Sequence, residues 1–179
     1  MDYEFFHALT AEEAQEFLDR FRQLEHAALQ AMLPNAASDG VALNYSISSM
    51  VPALKWMMRQ TRVQRVPVPE DEPAWIREAH ASGLIEFDES SKSMILRAAY
   101  YLGESFARLP GMRWTTGDVE YIEKNMPVVA GFQNDEELPP LVVVKNLFAR
   151  ILGNGKPESE IDATIAVWLR DVKLGKGSA

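Results

Sequence analysis

The 179-residue sequence predicts a mainly helical α+β fold, five or six helices packed with a small, short-stranded sheet. Three observations carry this prediction. Apolar residues recur at helical spacing through several long segments separated by Pro, Gly or Asp-Gly. Short β-prone runs at 84–87, 112–116 and 128–132 stand between those segments, bounded by turn residues. Hydrophobic residues make up 47% and charged residues 25% of the chain. Those are globular proportions, which exclude disordered and fibrous classes, and the length suffices for one domain with a real core.

The first helix starts at Thr10, which with Glu13 has the form of a capping box. Ala14, Phe17, Phe21, Leu24 and Ala28 give it an apolar stripe opposite Glu12, Glu16, Asp19 and Arg20, and Pro34 with Asp39-Gly40 is expected to end it. A second helix is expected from about Ser48 or Ser49, with Ile47, Met50, Val51, Leu54 and Met58 inward and Pro52 tolerated in its first turn. Val66-Pro67-Val68-Pro69 reads as an extended connector, because each proline pushes the residue before it away from helix. It divides an N-terminal helical segment, 1–66, from an α+β segment, 67–179, the two expected to form one compact unit.

Beyond the connector, Glu70, Asp71 and Glu72 are expected to open a helix reaching about Ala81, as acids favoured at the positive end of its dipole. Gly83 would close it as a left-handed cap, and the strand at 84–87 follows. Asp88 leads into the longest helix of the second half, with Ile95, Ala98, Ala99, Leu102, Phe106 and Leu109 buried and Pro110-Gly111 as its stop. Trp114 centres the next strand. After the strand ending at Phe132 comes a polar turn, 134–137. Pro140 can take the first position of a helix whose stripe is Leu141, Val144, Leu147, Phe148, Ile151 and Leu152. Gly153-Asn154-Gly155 ends it, and a last helix from Pro157-Glu158 buries Ile161, Ile165, Trp168, Leu169 and Val172. Residues 173–179 are expected to fray.

Charge is unevenly distributed. Residues 1–90 hold 15 acids and 7 bases, hence −8, whereas 91–179 hold 11 of each. That balance argues against sequence-independent binding of phosphate backbones and suits the steering of a basic partner. The local exception is a basic row, Lys55, Arg59, Arg62 and Arg65, which as a solvated helix face would lie near the acidic parts of the same molecule. With no cysteine, a disulfide scaffold, thiol catalysis and thiolate metal sites are excluded. The acidic N-terminus lacks the features of a secretory signal, and no run approaches the roughly 20 apolar residues of a membrane span. A cytoplasmic location is the expectation.

Chemical motifs fail on inspection. Gly153-Asn154-Gly155-Lys156 follows a helix and precedes Pro157, so it is a cap and not a phosphate loop. His7, His26 and His80 lie in no zinc-binding spacing, and no Gly-x-Ser-x-Gly turn prepares a serine. No metal, cofactor or catalytic residue is expected. One local oddity remains, Gly103-Glu104 inside a strong helix, where glycine costs about 1 kcal/mol relative to alanine. Either a neighbour packs closely there, or Glu104 faces a cleft lined by Tyr100, Tyr101 and Trp114.

Tyr101-Leu102-Gly103-Glu104, Trp114 after Pro110-Gly111, Pro127 and the helix begun by Pro140 together resemble a diffuse group of small bacterial α+β domains, over about residues 84–153. Several of these act as immunity proteins against toxins delivered to competitors, and many are uncharacterised. The resemblance transfers no catalytic residue. It implies an immunity protein, and with the acidic first half and the lack of catalytic motifs the expectation is a non-enzymatic, protein-binding module that neutralises a basic toxin by stoichiometric occlusion. The contacts would come from acidic turns: Glu70, Asp71 and Glu72; Glu86, Asp88 and Glu89; Asp135, Glu136 and Glu137. The competing readings are a small carboxylate-dependent hydrolase built on Glu104, which would reverse a toxin's modification, and a housekeeping interaction protein.

Overall fold

A computed structural model describes residues 3–118, 123–133 and 135–172. The expected fraying of 173–179 and the Asn134 end of the polar turn lie outside these residues. Among the described residues the chain is mainly helical α+β, as the periodicity predicts. Its helices are α1 (Tyr3–Ala8), α2 (Ala11–Ser38), α3 (Ile47–Arg59), α4 (Ala74–Ala79), α5 (Glu89–Ala107), α6 (Pro140–Phe148) and α7 (Ser159–Arg170). Its strands are β1 (Val63–Val66), β2 (Leu84–Phe87), β3 (Arg113–Thr116) and β4 (Pro127–Ala130).

All three predicted strands form, but not in one sheet. β3 and β4 pair antiparallel, with Trp114 opposite Val129, while β2 pairs antiparallel with β1 in a separate two-stranded sheet. β1 occupies part of what the sequence reads as connector, so strands on either side of Pro67 share a hairpin. The core likewise draws on both segments, running from Phe21, Leu54 and Met57 to Tyr101, Phe106, Val144 and Phe148.

α5 is the central element. Asp88 caps it, accepting a 2.7 Å bond from the Ser91 N–H, and α2, α3, α6 and both sheets pack around it. The capping box of α2 forms as predicted, but that helix runs through Pro34 to Ser38. Its inward side chains are Ala14, Leu18, Phe21, Leu29 and Ala36, whereas Leu24 is 56% exposed. The stripe advances by fours and threes from Ala14 through Leu18 and Phe21, which turns Glu25 inward in place of Leu24.

α3 begins at Ile47, one or two residues early, so Pro52 falls beyond the first turn on an exposed face. The helix expected from Glu70 starts only at Ala74, after Pro73. Glu70, Asp71 and Glu72 therefore belong to a turn and carry no helix-start role. Pro140 does open α6. A π-helical turn, Ala149–Gly153, then widens the helix before it stops.

Candidate functional site

Gly103 explains the oddity read in the sequence. A Cβ there would overlap the benzo ring of Trp114 and lie 2.9 Å from Pro140 Cγ. The missing side chain thus lets β3 and the start of α6 close onto α5, and what fills the space is an indole ring. Trp114 stacks on Tyr100 with centroids 6.4 Å apart, and Phe21 meets both rings edge-on. Such pairs add about 0.5–1.5 kcal/mol each beyond burial.

Glu104 closes the edge of this cluster. Its carboxylate accepts 3.1 Å from Trp114 Nε1 and 3.0 Å from Arg108 Nε, with Arg22 at 4.0 Å. Hydrogen bonds to a charged acceptor contribute about 1.5–3 kcal/mol, so Glu104 fixes the indole orientation that Gly103 permits. Arg108 also lies over the Tyr45 ring, 4.1 Å from its centroid, in the arrangement of a cation–π contact.

Tyr101 has no exposed surface and stacks on Tyr45 at 5.0 Å. Its hydroxyl accepts 3.1 Å from the Tyr45 N–H and lies 2.6 Å from Ser49 Oγ. Tyr45 has φ of 61°, in the left-handed region that costs an aromatic residue energy. The Tyr101 hydroxyl thereby pins the strained loop between α2 and α3. Glu104 and Trp114 meet directly, but the ring on the indole is Tyr100, while Tyr101 turns to Tyr45 and Ser49. The arrangement is a packed joint in which each polar atom described above has a protein partner.

The acidic segments are not brought to one place. Glu86, Asp88 and Glu89 sit at the N-terminal end of α5. Asp135, Glu136 and Glu137 precede Pro140, which meets α5 at Gly103, roughly 20 Å further along that helix at 1.5 Å per residue. Several of these acids already have structural work. Asp88 is the α5 cap, and the bonds from Ser91 and Ser90 hold its carboxyl below the usual range. Glu89 pairs with Lys92 at 2.6 Å. Glu137 is half-buried, its pKa pushed up by burial, and it accepts a 3.3 Å bond from the Asp118 N–H. Glu70, Asp71, Glu86, Asp135 and Glu136 are exposed and make no ion pair among the described residues.

The basic row serves the fold. Lys55 pairs with Asp162 at 2.7 Å, and Arg59 grips Glu158 with bonds of 3.1 and 2.7 Å, so α3 is clamped to α7. Arg65 donates to the carbonyls of Ser82 and Gly83 at 3.3 Å and of Gly153 at 2.8 Å. Arg62 is exposed near Asp88.

Sequence reasoning missed Trp75. It lies on α4, 70% exposed, the most exposed of the large apolar side chains among the described residues, three residues after the acidic turn at Glu70, Asp71 and Glu72. A tryptophan beside Pro73 gave no periodic signal, so only the tertiary structure distinguishes it from a core residue. Among the described residues no group of His, Cys, Asp or Glu could hold a metal ion, and no helix is long and apolar enough to cross a membrane. No protein-family model, curated protein or solved structure matches the chain.

Proposed function

We propose that this chain is a non-enzymatic protein-binding module, an immunity protein acting in the cytoplasm to neutralise a cognate basic toxin by stoichiometric occlusion. The observation that carries the reading is Trp75, held out on α4 beside Glu70, Asp71 and Glu72. Interface hot spots are enriched in tryptophan, and the acids that precede this one in the chain favour a basic surface. The internal ion pairs add support. Lys55, Arg59, Lys92 and Arg108 are matched by the chain's own carboxylates, so the −8 balance is left with exposed acids to present. A hydrolase built on Glu104 is disfavoured, because that carboxylate is engaged by Trp114 and Arg108.

The test is a calorimetric titration against the protein encoded beside this chain. One-to-one binding is expected, with Trp75→Ala at least tenfold weaker, about 1.4 kcal/mol, at an unchanged melting midpoint. Reversing Asp135 and Glu136 to lysine should slow association more than it hastens dissociation, and added salt should do the same. Glu137 is left out of that reversal because of its bond to Asp118. Protection at substoichiometric amounts would indicate turnover and favour the enzyme. Failure to bind any basic partner would end the immunity reading.

A further inference from the structure

A groove of about 840 Å³ runs between the β1–β2 hairpin, α5 and α6. Its apolar lining includes Ile85 and Phe87 of β2 and Ile95 and Leu96 of α5, and its cations are Arg65, Lys92 and Lys145. The volume is that of small-molecule sites, which are mostly apolar with a few placed polar groups. The hairpin wall is held in place by two contacts. Ile85 packs so tightly on the π-helical turn that a Cβ on Gly153 would overlap it, and Arg65 bonds the Gly153 carbonyl.

The groove's charges bear on what it holds. Elsewhere among the described residues Arg22, Lys55, Arg59, Arg108, Arg150 and Arg170 are answered by carboxylates. Here Lys92 is answered by Glu89 and feels Glu86, the acid that lines the groove. Arg65 spends its guanidinium on carbonyl oxygens and the Ser82 hydroxyl, without a carboxylate among the described residues. Lys145, half-buried on α6, has no ion-pair partner among them. Arg65 and Lys145, neither paired with a carboxylate among the described residues, thus line a largely apolar trough that also holds Glu86, in a molecule of net charge −8.

We propose that this groove binds a small amphipathic anion, an apolar body of several methylene groups ending in one carboxylate. The apolar body lies along Ile85, Ile95 and Leu96, and the carboxylate meets the Lys145 ammonium, with Arg65 adding its field from the hairpin side. A lysine suits this task as a point charge needing no planar partner, whereas the Arg65 fork is already occupied by carbonyls. The proposal does not rest on the toxin-binding reading, which is carried by Trp75, a residue outside the groove.

The probe is decanoate, titrated calorimetrically into the full chain and followed by methyl shifts of Ile85, Ile95 and Leu96. Saturable one-to-one binding is expected, with those methyls shifting and the Trp114 indole signal unmoved. Decanol should bind at least tenfold more weakly and decyltrimethylammonium more weakly still. Lys145→Gln should weaken decanoate at least fivefold while leaving decanol unchanged. Leu96→Trp, which fills the trough, should abolish both, and melting curves show whether either variant has lost its fold. Four results would overturn the proposal. These are no decanoate binding up to millimolar concentration, equal affinity for decanol, shifts away from the groove, or binding of an acidic strand-forming peptide along β2 in place of the amphiphile.

Discussion

Gly103 is where one absent carbon decides how three elements meet. Trp114 from β3 and Pro140 from α6 occupy the volume that a side chain would take. Gly103→Ala should therefore lower stability by about 1–3 kcal/mol through overpacking, although alanine gains about 1 kcal/mol in helix propensity. Gly103→Leu should cost more. In a Trp114→Phe background, which lacks the benzo ring, the alanine penalty should shrink, since contacting residues couple. Thermal melts of the four proteins measure this, and equal penalties in both backgrounds would rule the contact out. The sequence shows that Gly103 is out of place in a helix, because propensity is local. It cannot name Trp114 as the neighbour, because that depends on how β3 crosses α5. Tyr101 illustrates the same limit: its helical spacing is legible, but its hydroxyl serves a left-handed Tyr45 that lies 56 residues earlier.

At the scale of elements, the junction of α2 with α5 holds a conflict that apolar periodicity hides. Glu25 takes an inward position of α2, where its Oε2 and Arg97 Nε on α5 are buried without hydrogen-bond partners. Burial raises the Glu25 pKa above 4.5, and the Arg97 charge partly offsets this. The native state then holds the Glu25 proton more tightly than the unfolded chain does. That contribution is fully present below about pH 4.5 and is lost as pH rises through the raised value. Glu25→Gln removes the titration, so its melting midpoint relative to the parent should be higher at pH 7 than at pH 4. A pH-independent difference between the two would show that Glu25 titrates normally. Helices are the most legible elements here, since caps and stripes such as Thr10 with Glu13 lie within a few residues. β1 was not legible: Val63–Val66 has two exposed polar residues at its centre and a proline after it, and it becomes a strand only because β2 lies beside it. The π-helical turn at Ala149–Gly153 is equally silent in composition, since its apolar residues fit an ordinary helical stripe.

For the molecule as a whole, the two sheets differ in how they are held. β4 is buried along its whole length, and Val128, Val129 and Phe132 expose no surface. β1 is half-exposed, with polar residues outward, and beyond its pairing with β2 it is held by Val63 against the core, by the Arg62 N–H bond to Ser91 Oγ and by Arg65. Acids and bases could be counted from the sequence, but not their disposition: Lys55 and Arg59 were spent on α7, Glu137 on Asp118, and Trp75 was left outside. Arg65 joins that group, since a charge suggestive of a binding face serves as a tether. Its bonds to Ser82, Gly83 and Gly153 tie both strands' ends to the π-helical turn. A hairpin secured this way can detach as one cooperative unit without dissolving the core, at a free energy below that of global unfolding. In native-state amide exchange, β1, α4 and β2 should lose protection together, before α5 and β4. Arg65→Lys should hasten exchange across β1 and β2 severalfold and leave α5 and β4 unchanged. A uniform acceleration would mean that the hairpin and core open only as one. The same guanidinium that lends its charge to the groove would then set how often the groove's wall is absent, making occupancy of that trough a means of closing it.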